Sequence, residues 1–161
     1  MIRKSTLNDK KCIQQLMLLC FGDKNNLEPY ENIEGRYWLY FKDDKLVAMS
    51  GLTSNSEYGH LEIDWTCTHP EKRHKGYMQE IFAKMLKNVK DSVYCSCWRL
   101  ANNDKANLYT LMKLFGFEEV IHSRVHYKTP HNCFRDYKDG CSYCTGNGCE
   151  CYEDLFLLKI S

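Results

Sequence analysis

The chain carries almost no net charge. Its 22 lysines and arginines stand against 21 aspartates and glutamates, leaving a formal net charge of +1. That balance removes any global electrostatic reason to bind nucleic acid or an anionic membrane, so affinity for a polyanion has to be local. Long apolar runs are missing as well. The longest, Leu16 to Phe21, is far too short to span a bilayer, and the opening residues lack a signal-peptide core. The expected compartment is the cytosol. There is no internal repeat or low-complexity tract, and the six histidines lack the H-x-x-x-H spacing of a helical metal pair.

What remains is enough for one domain with a real core: 161 residues, too few for two comfortable ones. Met1 to Thr6 predicts a first strand. Asn8 or Asp9 then caps a helix with Cys12, Ile13, Leu16, Met17 and Cys20 on its buried face. Gly22 to Gly35 is polar and mixed. Arg36 to Lys42 and Lys45 to Thr53 predict a hairpin turning at Asp43-Asp44, followed by a central strand, His60 to Thr68. Ser92 to Leu100 predicts another strand, and Asn102-Asn103-Asp104 opens a helix running to about Phe115 and ended by Gly116. Phe117 to Lys128 and Asp154 to Ile160 predict the last two strands. The expected class is α/β, a mixed and largely antiparallel central sheet flanked by helices. Trp38, Trp65 and Trp98 read as packing residues, His60 and His69 as turn or surface residues.

The segment THPEKRHKGYMQEIFAKML, from Thr68 to Leu86, links the central strand to an amphipathic helix. Met78, Ile81, Phe82, Met85, Leu86 and Val89 recur at helical spacing, so one stripe packs on a sheet and the first turn keeps free N–H groups. Those donors and the positive end of the helix dipole favour a phosphate. Gly76 lets backbone approach a ligand closely, and Arg73, His74 and Lys75 surround it with charge.

At these residues the chain resembles the GNAT superfamily of acetyl-CoA-dependent N-acetyltransferases. The family's pyrophosphate signature, Arg/Gln-x-x-Gly-x-Gly/Ala, stands here as Arg73-His74-Lys75-Gly76-Tyr77-Met78, with Met78 in place of the last small residue. Thr68-His69-Pro70-Glu71 sits where the family has Val-x-Pro-Glu. The opening IRKSTLNDKKCIQQL is similar to its first strand and helix, and Leu114-Phe115-Gly116-Phe117-Glu118 to its late Leu-Gly-Phe segment. The resemblance covers most of residues 1 to 129. It implies one GNAT-like domain over 1–161 that binds acetyl-CoA as cosubstrate and an amine as acceptor, while the charge balance indicates no nucleic acid or membrane partner.

Acyl transfer to an amine needs a bound donor, a neutral amine, a hydrogen bond to the developing oxyanion and a proton for the departing thiolate. A Lys-type amine has a pKa of about 10, so a carboxylate near the acceptor helps remove its proton. Glu62 and Asp64, two apart on the central strand, are expected to share a face with Thr66 and Thr68. By the resemblance, Glu62 falls where histone-acetylating members carry their general base; a solvated strand residue is the plainer alternative. Thr66 matches the residue whose backbone N–H meets the thioester carbonyl, Thr68 the one that pairs with pantetheine. The family's tyrosine acid is replaced by Met112. Tyr109, one turn earlier on the same helix, is the candidate proton donor or else a core residue.

Five of the ten cysteines fall in the last thirty residues, inside an insertion at about 129–153 for which the resemblance offers no counterpart. Cys141-x-x-Cys144 and Cys149-x-Cys151 put four thiols in eleven residues, with Cys133 upstream and glycines at 140, 146 and 148. The first pair resembles a zinc knuckle, and one structural zinc is expected on Cys141, Cys144, Cys149 and Cys151; disulfides, free thiols or an iron–sulfur cluster are the alternatives. Cys95 and Cys97 share one strand face and read as packing. Two functions remain: an N-acetyltransferase acting by direct attack of an amine, or a non-catalytic CoA-binding or metal- or redox-responsive interaction module on the same scaffold.

Overall fold

The computed structural model describes residues 1–21, 33–55, 60–99, 103–126 and 152–160. The chain divides into two compact units, Met1–Asp91 and Ser92–Ser161. Among the described residues no helix is long and apolar enough to cross a membrane.

In the first unit, strands β1 (Ile2–Lys4), β2 (Tyr37–Lys42), β3 (Lys45–Asn55) and β4 (His60–Thr68) pair in sequence order, each antiparallel to the next. Helix α1 (Lys10–Phe21) covers one face. Its Ile13, Leu16 and Met17 pack against Tyr37, Leu39, Met49 and Cys67. Helix α2 (Tyr77–Leu86) covers the other, since Tyr77 stacks on Tyr40 at 4.6 Å and Lys84 lies over Trp38, the residues of β2 that alternate with Tyr37 and Leu39. The expected stripe on α2 holds in its centre: Ile81, Phe82 and Met85 are buried, each worth about 1.5–3 kcal/mol in apolar burial. Val89 lies past the helix end.

Local signals explain the connections. Asp43 and Asp44 turn the β2–β3 hairpin with φ of 50° and 57°, the pair of left-handed residues that a two-residue type I′ turn requires. The helix start is displaced from expectation. Thr6 caps a short 3₁₀ turn, Leu7–Asp9, that leads into α1. Asp9 accepts from the Thr6 N–H and from both terminal nitrogens of Arg3, all at 2.7 Å, and Arg3 foremost holds its carboxyl far below the usual carboxylate range.

In the second unit β5 (Val93–Arg99), β7 (Tyr152–Leu158) and β6 (Glu118–His126) form antiparallel ladders with β7 in the middle. The last strand thus begins two residues before the expected Asp154. Helix α3 (Tyr109–Leu114) is much shorter than expected. The backbone ahead of it is bonded to β5 instead: Arg99 Nη1 donates to the Asn103 carbonyl at 2.8 Å, and the Asn107 N–H to the Trp98 carbonyl at 3.1 Å. Its end is as expected. Gly116 has φ 79°, its N–H reaches the Lys113 carbonyl at 3.2 Å, and the Phe117 N–H reaches Met112 at 3.0 Å, the paired bonds of a Schellman motif.

Candidate active site

The segment expected to cradle a phosphate forms the turn where β4 gives way to α2. After Thr68, a 3₁₀ turn over Pro70–Lys72 is started by His69, whose Nδ1 accepts the Glu71 N–H at 3.3 Å. Arg73 is extended, and His74 and Gly76 then take left-handed φ of 60° and 81°. A left-handed histidine costs about 1 kcal/mol that glycine would not. Gly76 is the N-cap of α2 and has no side chain with which to cap it, so the first-turn N–H groups at Tyr77 and Met78 are available to an anion. Arg73, His74 and Lys75 are all exposed around this turn.

Strand β4 is bulged just upstream. Thr53 pairs with Glu62 and Gly51 with Asp64, but Met49 pairs with Cys67, so Trp65 and Thr66 together oppose Ser50. Trp65 takes the extra residue's conformation, φ 45°, with its ring edge-on to Phe21 at 5.7 Å. This overturns the expected common face. Glu62 and Asp64 stay on the α1 side with Gly51, whereas Thr66, its hydroxyl 2.8 Å from that of Ser50, and Thr68, opposite Ala48, face the α2 side. An inserted residue inverts the alternation for everything after it.

Asp64 has a partner that no sequence pattern announced. Arg36, entering β2, donates to its Oδ2 at 3.0 Å, and both side chains are largely buried. Burial pushes the Asp64 carboxyl up, and the Arg36 guanidinium only partly offsets it. Oδ1 lies 1.7 Å from where a Cβ on Gly51 would sit. The signal that could have found this contact was Gly51 itself, since a glycine inside a strand marks a close approach.

Behind the cradle, the Cys20 thiol at the end of α1 reaches the Thr68 carbonyl at 3.4 Å, and Arg73 Nε reaches the same oxygen at 3.5 Å. Cys20 is half-buried and Cys67 buried. Helical periodicity alone places Cys20 on an ordinary core face, with no sign of these contacts.

In the second unit, Tyr109 opens α3 with its ring edge-on to Phe156 at 5.9 Å and Lys105 5.2 Å above it. Met112 is fully buried, a core residue. On the sheet, Arg99 and Asp154 form a buried ion pair at 2.8 Å, and Arg99 Nη2 lies 3.3 Å from His122 Nε2. A guanidinium only donates, so Nε2 accepts and Nδ1 carries the proton towards Glu119 Oε1 at 2.6 Å. Glu119, His122 and Asp154 thus have metal-like spacing, but Arg99 already serves two of the three. Cys95 and Cys97 are buried with their sulfurs 3.6 Å apart, as packing residues. Cys133, Cys141, Cys144, Cys149 and Cys151 lie outside the described residues.

A family model described as "Acetyltransferase (GNAT) family" matches residues 11–117. No curated protein matches the chain. Among solved structures, a GNAT-family acetyltransferase from Bacillus cereus ATCC 10987 is similar at 15% identity and TM-score 0.68, covering 100% of this chain and 97% of its own. An aminoglycoside 6'-N-acetyltransferase complexed with coenzyme A is similar at 12% identity and TM-score 0.70, with the same coverage of both chains. The ribosomal-protein-S18-alanine N-acetyltransferase from Escherichia coli follows at 14% identity and TM-score 0.66, over 100% of this chain and 94% of its own. At such identities the likeness is one of fold, the mixed α/β arrangement expected above.

Proposed function

Since the chain belongs to the acetyltransferase (GNAT) family, we propose that it moves an acetyl group from acetyl-CoA to the primary amine of a small molecule or peptide, by direct attack, as one functional domain. The observation that carries this reading is the left-handed turn at His74 and Gly76 that opens α2 on bare N–H groups. Arg73, His74, Lys75 and Gly76, with the backbone of Tyr77 and Met78, would hold the pyrophosphate. The backbone N–H of Thr66 would meet the thioester carbonyl and the backbone of Thr68 would pair with the pantetheine arm, past the bulge from the carboxylates. When bound, the cosubstrate supplies an activated carbonyl and a thiolate leaving group.

Glu62 would take the proton that keeps the incoming amine unreactive, with Arg36 and Asp64 as the neighbouring charged pair on the same face. Tyr109 would return a proton to the thiolate. With a thiol pKa of about 8.5 that step needs little assistance, so a buried Met112 at the family's acid position is compatible with turnover. The reading also includes a cytosolic setting, in keeping with the short apolar runs, and one structural zinc on Cys141, Cys144, Cys149 and Cys151, supported by cysteine spacing alone.

Calorimetry with acetyl-CoA on the parent and on Gly76→Asp is the direct test, paired with a screen for CoA release over a panel of amines. An added Cβ at Gly76 would meet only Gln79 Oε1, at 3.8 Å, and aspartate tolerates left-handed backbone, so the variant should fold. The parent is expected to bind in the micromolar range and the variant to lose that binding. Equal affinity in both would remove the cradle assignment. Tight binding without CoA release from any amine would leave a CoA-binding module.

A further inference from the structure

One carbonyl oxygen, that of Thr68, collects two groups from separate elements. The Cys20 sulfur comes from the last turn of α1 and Arg73 Nε from the cradle. Cys67, one residue before that carbonyl, belongs to the core cluster against which Cys20 packs, so both thiols and Arg73 gather at one point of β4. Two thiols and a guanidinium gathered around one carbonyl differ from a lone cysteine: the cation stabilises a thiolate on one sulfur, and the second thiol can close a disulfide on it. The same helix holds a control. Cys12, two turns earlier and also half-buried, donates to the Asp9 carbonyl at 3.1 Å.

We infer that Cys20 is an oxidant-reactive modification site that closes a disulfide with Cys67 on exposure to hydrogen peroxide, and that Arg73 serves both this thiol and the cosubstrate. The hydrogen bond from Cys67 and then the charge of Arg73 hold the Cys20 thiol below its ordinary range against the burial that opposes them, while burial pushes the Cys12 thiol up. In the first step the Cys20 thiolate attacks one peroxide oxygen, the O–O bond breaks, and the departing hydroxide takes a proton to become water. Cys20 is left as a sulfenic acid. In the second, the Cys67 sulfur attacks Cys20, the S–O bond breaks, and hydroxide leaves with the Cys67 proton. Two thiols and one peroxide become one disulfide and two waters.

The part played by the cosubstrate rests on the acetyl-CoA reading of Arg73. A pyrophosphate drawn to that guanidinium takes its charge away from Cys20, so acetyl-CoA, which has no free thiol of its own, should protect Cys20.

The test uses the reduced full-length chain, hydrogen peroxide with dimedone as the sulfenic acid trap, and peptide-resolved mass spectrometry. Dimedone should mark Cys20 well ahead of Cys12. Cys67→Ser should enlarge the Cys20 adduct by removing the resolving thiol, and without dimedone the parent should yield a Cys20–Cys67 disulfide. Arg73→Gln should slow alkylation of Cys20 by iodoacetamide about three- to tenfold and leave Cys12 unchanged, since lost thiolate is partly offset by the greater nucleophilicity of a more basic one. Saturating acetyl-CoA should slow the parent by a similar factor. Cys20 reacting no faster than Cys12, or at the same rate in Arg73→Gln, would overturn the site. Preferential oxidation of Cys20 without protection by acetyl-CoA would keep the site and remove Arg73 from the pyrophosphate, an outcome separable from the Gly76→Asp calorimetry.

Discussion

At the scale of single residues, the two carboxylates on β4 part company. Glu62 stands opposite Thr53, whereas Asp64 is tied to Arg36 and seated over Gly51. If Glu62 is the base, Glu62→Gln should lower turnover about 10²- to 10⁴-fold while acetyl-CoA affinity by calorimetry barely moves. A rate within a few-fold of the parent from pH 6 to 9 would reassign the role. Gly51→Ala tests the seat of Asp64. A methyl group would fall 1.7 Å from Oδ1, 2.9 Å from Cγ and 3.2 Å from Tyr37 Cδ1. The carboxylate has to swing off Arg36, and urea unfolding should show a loss of about 1–3 kcal/mol. The turn that opens α2, and the shared face of Glu62 and Asp64, were legible because each sits in a contiguous motif. Arg36–Asp64 and Cys20–Arg73 were not, because each joins residues from different elements and no local spacing encodes them.

Elements were easier to read than their irregularities. Strands β2 to β5 and helices α1 and α2 follow hydrophobic periodicity, which reports on burial and therefore on the sheet faces. The bulge at Trp65 escaped because a left-handed tryptophan carries no mark in sequence. The shortening of α3 escaped because Arg99 and Trp98 claim the preceding backbone from another element. The hairpin turn gives a prediction on this scale. Asp43 and Asp44 are exposed and both left-handed, a conformation that asparagine followed by glycine adopts with less strain. Asp43→Asn with Asp44→Gly should stabilise the protein by about 0.5–1 kcal/mol, read as a rise in midpoint denaturant at unchanged slope.

For the molecule as a whole, the α/β class was legible because, among the described residues, four strand stretches interleave with three helices, and the described pairings within each unit are antiparallel. The division into two units left no such trace in composition. The cysteine-rich stretch yields a separate prediction. A glycine-rich connection of this length has little apolar content with which to hold itself together, and a tetrathiolate site would tie it to a single point. Elemental analysis of chelator-free protein should find about one zinc per chain; less than about a tenth of an equivalent, with every cysteine open to thiol titration, would remove the metal. The order β5-β7-β6 bears on how the chain is born. A ribosome delivers residues at about 5–20 per second, and β7 emerges after both strands it joins. Until then β5 and β6 wait without the partner that pairs them, a nascent state suited to chaperone capture. A stop codon just before Tyr152 would remove the 7-residue strand and with it both ladders described in the second unit, so a truncation this small would leave β5 and β6 with nothing to join them.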